Sequence, residues 1–397
     1  MLKEDFKIAN ISFPDQLASD SVKKSKEFGL SVGKAIESEW FRKDNGAARF
    51  YNNRDNFHKL RQYARGEQSV QKYKNELAIN GDTSYLNLDW TPVPLVPKFV
   101  DVVVNGMSNR LFDVKVEAID DVARTRRNNY RQIIEDDMMA KPVLEMLQGA
   151  SGNNLFNSDP DKLPESDEEL ELHMQLTYKQ AVELAEEQAI NVLLDGNNYD
   201  LTRKRVYYDL TTIGIGAVKN RFSKAEGITV EYVDPANLVW SYTESPYFDD
   251  IYYVGEVRDV HINELKKQFP NLTNEDLNSI AKTGYQNNQF YDRTLTNYSE
   301  SDSNTVQVLY FNYKTYMNEV YKVKETATGA TKILMRDDTF DPPVEVLEQK
   351  FGKMSRSLEV LYEGVLILGT DYLLKWEMAK NMMRPKSDET KVLMHYS

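Results

Sequence analysis

Gly214-Ile215-Gly216-Ala217-Val218-Lys219-Asn220-Arg221-Phe222 opens the stretch around which this chain is organised, and that stretch runs on to Pro270. Apolar residues over 215–222 signal a short strand, and Ala225-Glu226-Gly227 signals a turn. Alternation resumes at Ile228, Val230 and Tyr232 and stops at Val233-Asp234-Pro235-Ala236-Asn237. A second strand pair follows, Leu238-Val239-Trp240 and 251–257, across the polar bend 243–250. Residues 260–269 read as a short helix stopped by Pro270. Period-two runs bounded by Gly, Pro and Asp read as strands, and proline cannot continue a helix. The pattern therefore predicts an antiparallel sheet unit, about 214–257, docked on helices.

At 397 residues the chain is long enough for more than one compact unit. With 41% apolar, 28% charged and 11% aromatic residues, the composition is that of an ordered globular protein. A net charge of −13 argues against a protein that coats nucleic acid, because affinity for phosphate comes from clustered Lys and Arg. It is compatible with a surface that lets DNA slide past. The absence of cysteine excludes disulfides and thiolate metal sites. Met1-Leu2-Lys3-Glu4-Asp5-Phe6 lacks the apolar core of a signal peptide, and the most apolar stretch, 93–111, is broken by Lys98, Asp101 and prolines. These features predict a cytosolic or particle-associated protein with no membrane span.

The first part of the chain reads mainly as helices. Val22, Phe28, Val32 and Ile36 share one face of a helix over about 19–40, although Lys23, Lys24 and Lys26 sit badly at its positive N-terminal end. A second helix, 53–64, ends at Gly66. Trp90-Thr91-Pro92-Val93-Pro94 is extended, and Pro97 starts a helix to Leu111. Phe99, Val100, Val103, Val104, Met107 and Leu111 form its apolar face, whose gross burial is worth on the order of 10 kcal/mol. Val114 and Val116 alternate as a half-buried strand, and 122–148 is a helix bent or broken near Pro142. An acidic loop, 149–167, leads to Ser166-Asp167-Glu168-Glu169, a capping box opening one long helix with apolar positions from Leu170 to Leu193. Residues 199–212 form the helix before the sheet unit.

Beyond Pro270, a capped helix over 273–281 precedes a polar run rich in Asn, Gln, Ser and Tyr. Period two then returns: 306–314 and 319–325 as strands, a turn at 327–330, a strand at 333–335, and a strand pair over 357–368 turning at Glu363-Gly364. The predicted class is α+β. A mostly helical domain covers 1–285, a linker 286–304, and a β-rich domain 305–397. The chain stops at Ser397 without a closing element, as if cut inside a domain.

Candidate chemistry does not assemble. Gly29-Leu30-Ser31-Val32-Gly33-Lys34-Ala35 is one residue short of a phosphate loop, lacks the hydroxyl after Lys34 and lies inside a helix signal. Gly214-Ile215-Gly216 runs from helix into strand, the reverse of a dinucleotide fingerprint, and reads as a turn. Glu169 with His173, and His261 with Glu264, have spacings that recur by chance on charged helices. The doublets Asp120-Asp121, Asp136-Asp137, Asp249-Asp250 and Asp337-Asp338 could hold magnesium in a nuclease, but adjacent side chains point apart. No catalytic, cofactor-binding or metal-binding residue is nominated, and no enzyme is expected.

The order of elements is more informative. Arg61 to Tyr73, with Tyr63-Ala64-Arg65-Gly66-Glu67-Gln68, resembles the early helix exit of the portal proteins of tailed bacteriophages. Trp90-Thr91-Pro92-Val93-Pro94 with the helix 98–110, and Glu186-Glu187-Gln188-Ala189-Ile190 followed by Asp209 and Gly214-Ile215-Gly216, resemble that family's wing helices running into a sheet. The run 230–239 with Asp234-Pro235, the strand 252–257 and the helix 262–269 form the most typical piece. Residues 306–313 and Leu361-Tyr362-Glu363-Gly364-Val365 are similar to its β-rich clip. The matches keep their order over nearly the whole chain, and they look most like the portals of crAss-like phages.

This resemblance implies a structural virion protein, assembled in the host cytoplasm. It would form a homo-oligomeric ring, usually a dodecamer, at one capsid vertex. The ring would contact the major capsid protein and dock the terminase large subunit during DNA packaging. It would later meet head–tail adaptor and tail proteins and pass double-stranded DNA without sequence specificity during genome ejection. It implies neither cofactor nor catalytic residue. A portal continues into a second stem helix, a channel loop and a crown, which the residues up to Ser397 do not supply. Two other readings remain open from the residues: a head-to-tail adaptor or tail component, and a metal-dependent nuclease using the acidic doublets.

Overall fold

The computed structural model describes residues 12–42, 48–67, 69–79, 81–91, 93–110, 112–151, 163–176, 178–223, 227–281, 304–325, 331–342, 351–385 and 387–397. About 45% of it is helix and 24% strand, helices preceding an antiparallel sheet, so the class is α+β. The chain forms two compact units, one of residues 1–107 with 202–397, the other of residues 108–201.

In the larger unit, the helices are α1 (Asp20–Lys23), α2 (Lys26–Phe41), α3 (Arg49–Arg65), α4 (Gln71–Leu77) and α5 (Leu95–Ser108). A six-stranded antiparallel sheet has the order β3 (Leu238–Trp240), β4 (Tyr253–His261), β5 (Thr305–Glu325), β7 (Phe351–Ile367), β8 (Leu373–Met378), with β6 (Thr331–Arg336) on the far end of β5. Strands β1 (Ala217–Ser223) and β2 (Gly227–Val233) form a separate two-stranded antiparallel sheet. Both faces of the main sheet are covered, which is why 306–313 and 358–368 read as almost continuous apolar runs. On one face, Phe28, Val32, Ile36, Trp40 and Phe41 of α2 pack against Leu309, Phe311, Tyr313, Tyr362 and Trp376. On the other, Val306, Val308, Val365 and Ile367 meet Leu265 of α10 (Ile262–Gln268), and Leu277 and Ile280 of the helical run 274–281. There too, Leu361 and Val254 meet Ala217, Val233 and the C-terminal residues Val392, Met394 and Tyr396.

In the smaller unit, the helices are α6 (Asp121–Ser151), which runs on past Pro142, α7 (Asp167–Leu176) and α8 (Ala181–Gly196). Ile134, Leu163 and Leu170 are its buried apolar cluster. Helix α9 (Tyr199–Thr212) begins at the boundary between the units and leads to β1.

Several expectations are corrected. The division at 286–304 is not the one the chain makes: β4 and β5 pair from Tyr253↔Tyr313 to His261↔Thr305, so the β-rich residues 305–397 share a sheet with 238–261. The linker residues themselves fall almost wholly outside the described ones. The sheet unit 214–257 splits between two sheets, because Pro235 starts a 3-10 turn between β2 and β3. Helix 19–40 breaks before Lys26, where Ser25 accepts the N–H of Phe28 as a new cap. The long helix from Ser166 breaks before Ala181, where the Glu183 carboxylate accepts the N–H of Gln180. No strand forms at 114–116. The N–H groups of Val116 and Ala118 instead donate to the carboxylates of Glu187 and Glu183.

Residues 306–325 are one strand rather than two, and Glu363-Gly364 is not a turn but the middle of β7. A Cβ on Gly364 would lie 2.2 Å from the Phe311 ring, so this glycine is demanded by packing. The turn expected at 327–330 lies outside the described residues. Strand β8, absent from the sequence reading, completes the sheet, and the last residues pair with β1 through Val218, which exchanges both backbone hydrogen bonds with Ser397. The apolar face of α5 is buried only at Val100 and Val104, which meet Ala64, Tyr207 and Tyr208. Leu95, Val96, Phe99, Val102, Val103 and Met107 are 42–68% exposed.

Candidate functional site

Three stretches far apart in sequence meet beneath α3. Arg61, one turn before the helix ends at the left-handed Gly66, forks onto Asp234, with Nη2–Oδ1 at 2.7 Å and Nη1–Oδ2 at 3.0 Å. The same guanidinium donates to Asp209 Oδ1 of α9 at 3.0 Å, and the Tyr232 hydroxyl of β2 donates to the other oxygen of Asp209. Asp234 also accepts the N–H of Ala236 at 2.9 Å, which shapes the turn at Pro235. Burial raises the Asp209 carboxyl above the usual carboxylate range despite Arg61. Burial pushes Asp234 the same way, but its bonds from Arg61 and Ala236 outweigh this and hold it below that range. A buried charge of this kind is tolerated only when its hydrogen bonds are complete. The cluster fastens α3, α9 and β2 together, and its carboxylates are committed to that task.

A second polar cluster ties the C-terminal residues to the sheets. Lys219 of β1 donates to the Tyr396 hydroxyl at 2.8 Å and lies 3.8 Å from Glu256 of β4. Burial pushes the Lys219 amine down to about 8. Glu256 is paired at 2.7 Å with Arg258, which also reaches Glu231 at 3.7 Å. Alongside, Glu363 of β7 is held at about 2 by hydrogen bonds from His395 and from Lys375.

A broad cleft of about 1230 Å³ opens beside these residues, with Phe13, Trp240, Phe248, Tyr252, Met383 and Met394 among its walls. The Asp250 carboxylate at its rim is occupied by the hydroxyl of Thr243 and the N–H of Glu244. Aromatic and apolar walls suit binding by contact area.

The residues weighed as motifs have structural employment. Gly29 and Gly33 let α2 approach the sheet, with an added Cβ meeting Trp376 at 2.4 Å and Leu366 at 3.0 Å, while Lys34 pairs with Glu37 at 3.0 Å and Asp371 at 3.2 Å. Gly214, at φ 87°, ends α9 before β1. Glu169 accepts the N–H of Glu165, and His173 shares a hydrogen bond with Tyr130. His261 caps α10 by accepting the N–H of Asn263. Asp120 accepts the N–H of Ala123, Asp338 accepts that of Asp20, and Asp137 is buried. Among the described residues, no group of three or more His, Asp or Glu converges as metal ligands, and no helix is long and apolar enough to cross a membrane.

The ion cluster could not be placed from periodicity, since Arg61 lies about 150–170 residues before its two carboxylates and none of the members carries a local signal of contact. Its Arg61, Asp209 and Asp234 do fall within three of the stretches that carry the portal resemblance, and Tyr232 lies within the third of them as well. No protein-family model matches the chain, and no curated protein matches it.

Proposed function

We propose that this chain is a subunit of a phage portal: a homo-oligomeric ring at one capsid vertex that passes double-stranded DNA inward during packaging and outward during ejection. In this reading the ring contacts the major capsid protein, docks the terminase motor and then the adaptor and tail, and carries out no chemistry itself.

The observation that carries the proposal is the open face of α5. Six large apolar side chains on a 14-residue helix are 42–68% exposed. Scattered apolar residues on a surface are ordinary, but a continuous stripe along one helix marks a contact surface. A ring supplies that contact repeatedly, because each subunit offers one surface to each neighbour. The ordered convergence of Arg61, Asp209 and Asp234 supports the reading as well, since the stretches that resemble portals meet in one buried cluster.

Sedimentation of the purified chain tests the proposal, with Phe99→Ser/Val103→Ser beside the wild type. Both side chains are exposed, so the monomer fold should change by no more than about 0.5 kcal/mol. The wild type should sediment as a large closed assembly, and the double variant should dissociate at concentrations at least about tenfold higher. A wild type that stays monomeric or dimeric at every concentration would refute the proposal.

A further inference from the structure

Helix α5 has three sides. Laid out at about 100° per residue, Val100 and Val104 form the buried side, and Lys98, Asp101 and Asn105 form a polar one. Leu95, Val96, Phe99, Val102, Val103 and Met107 fill the third, an exposed arc of about 140°. A helix that covers a core with one side does so through an apolar arc of about 100°. On α5 the wider apolar arc is the open one. Gly106 stands in the middle of that arc, and an added Cβ there meets nothing within 4 Å. Glycine inside a helix costs stability relative to alanine, and what it permits is the close approach of another surface. Among the described residues, nothing makes that approach.

The larger unit also carries a concave counterpart. Its cleft of about 1230 Å³ exceeds the roughly 300–1,000 Å³ that small-molecule sites take. Two turns of an α-helix, about 11 Å long and 10–12 Å across, fill roughly 1,000 Å³. Trp240, Phe248, Tyr252 and Met383 give the cleft aromatic and adaptable apolar walls. The bend that carries Phe248 is fastened where Asp250 accepts the hydroxyl of Thr243 and the N–H of Glu244. That wall therefore stands in place before anything enters, which lowers the ordering cost of binding.

We propose that the open side of α5 docks in the aromatic cleft of a second copy of this chain, so that each subunit gives a helix to one neighbour and a cleft to the other. The inference rests on the ring reading and deepens it by naming both halves of the contact. A closed ring of more than two subunits needs such a heterologous contact, with two different surfaces on every subunit. Area argues against the alternative, stripe against stripe across a twofold axis. A whole large apolar side chain amounts to about 60–120 Å², so the exposed parts of these six come to roughly 200–400 Å². Two such stripes together bury at most about 800 Å², short of the roughly 1,200 Å² at which stable interfaces begin. Both clefts would also stay open. Helix against cleft covers both surfaces at once, with Val96, Phe99 and Val103 at the i, i+3 and i+7 spacing of a helix held in a groove.

The chain has no cysteine, so introduced thiols report contacts without background. Full-length Val102→Cys, on α5, is mixed with full-length Met383→Cys, at the cleft wall, and a short bis-maleimide joins thiols that meet across copies; both positions are exposed. The mixture should yield cross-linked pairs. Neither variant alone should do so, nor should Val102→Cys mixed with Met335→Cys, an exposed position on β6. Cross-linking of Val102→Cys by itself, or equally well to Met335→Cys, would overturn the proposal. Two charges test the same contact by sedimentation. Gly106→Glu enters the open arc where nothing stands within 4 Å, so its unfolding midpoint should not fall, and Met383→Glu enters the cleft. Each should raise the concentration at which the assembly dissociates by about tenfold or more, and Met335→Glu should not.

The outcomes separate this contact from the ring. If the wild type forms closed rings while the mixture fails to cross-link and Met383→Glu assembles normally, the ring stands and the contact falls. Open filaments joined by the same cross-link would keep the contact and defeat the ring, because a heterologous contact need not close. A wild type that stays monomeric at every concentration overturns both.

Discussion

Phe311 shows how much of this core depends on what neighbouring residues lack. Its ring fills the space where Gly364 has no side chain, and its Cβ lies 3.0 Å from where one on Gly255 would stand. Gly364→Ala should therefore destabilise the chain by about 1–3 kcal/mol in urea denaturation, as overpacking does. Gly106→Ala on α5 meets nothing within 4 Å and should stabilise by about 0.5–1 kcal/mol. If the two substitutions shift the midpoint equally, the packing role of Gly364 is wrong. Sequence alone cannot separate a turn glycine from one that makes room for a ring, and this is why Glu363-Gly364 reads as a hairpin. Arg61→Leu strands Asp209 and Asp234 together and should cost about 3–5 kcal/mol, a loss that circular dichroism during urea unfolding would register. Glu363 bears on pH. Its folded value of about 2 lies below the ordinary 4.5, so its stabilisation is complete above about pH 4.5 and is lost as pH falls through about 2. With the side chain 30% exposed, that is on the order of 2 kcal/mol. Glu363→Gln should flatten the acid limb of the stability curve in that window, and an unchanged limb would assign the acid sensitivity elsewhere.

Helices and strands differ in how openly the chain announces them. Helix α9 and strands β1 to β4 are readable because apolar period, Gly214 and Asp234-Pro235 all agree on their limits. The gap between α7 and α8 is hidden because Tyr178 and Ala181 stay in phase with one continuous apolar stripe, while the break is made by Glu183 capping Gln180. Strand β8 is hidden for another reason: Leu373-Leu374-Lys375-Trp376-Glu377-Met378 is too short and mixed to show a period, and it becomes a strand through pairing with β7. The extended run near Val116 likewise depends on partners that only the fold supplies. Burial pushes the Glu183 carboxyl up, but bonds from Gln180, Ala118 and Arg127 outweigh it and keep the group ionised. Glu183→Ala should leave those donors unsatisfied, costing about 2–4 kcal/mol, with faster amide exchange at Ala118 and across the first turn of α8. Exchange that stays as slow as in the wild type would mean the carboxylate does not hold that unit together.

The large unit pairs a sheet covered on both faces with elements that leave apolar surface open. The large unit buries both faces of its main sheet, yet α5 remains exposed along most of its stripe, and β6 is exposed at every residue. The α+β class is readable from the change of period along the chain, whereas the division into units is not, because β4 and β5 pair across the polar run that looks like a boundary. The proposed ring would cover such surfaces, and single-particle imaging of the purified full chain examines that proposal without intermediaries. The account predicts closed rings of about twelve copies around a hole roughly 20–40 Å wide, enough for duplex DNA. Isolated single particles, or open filaments with no closed ring at any concentration, would contradict it.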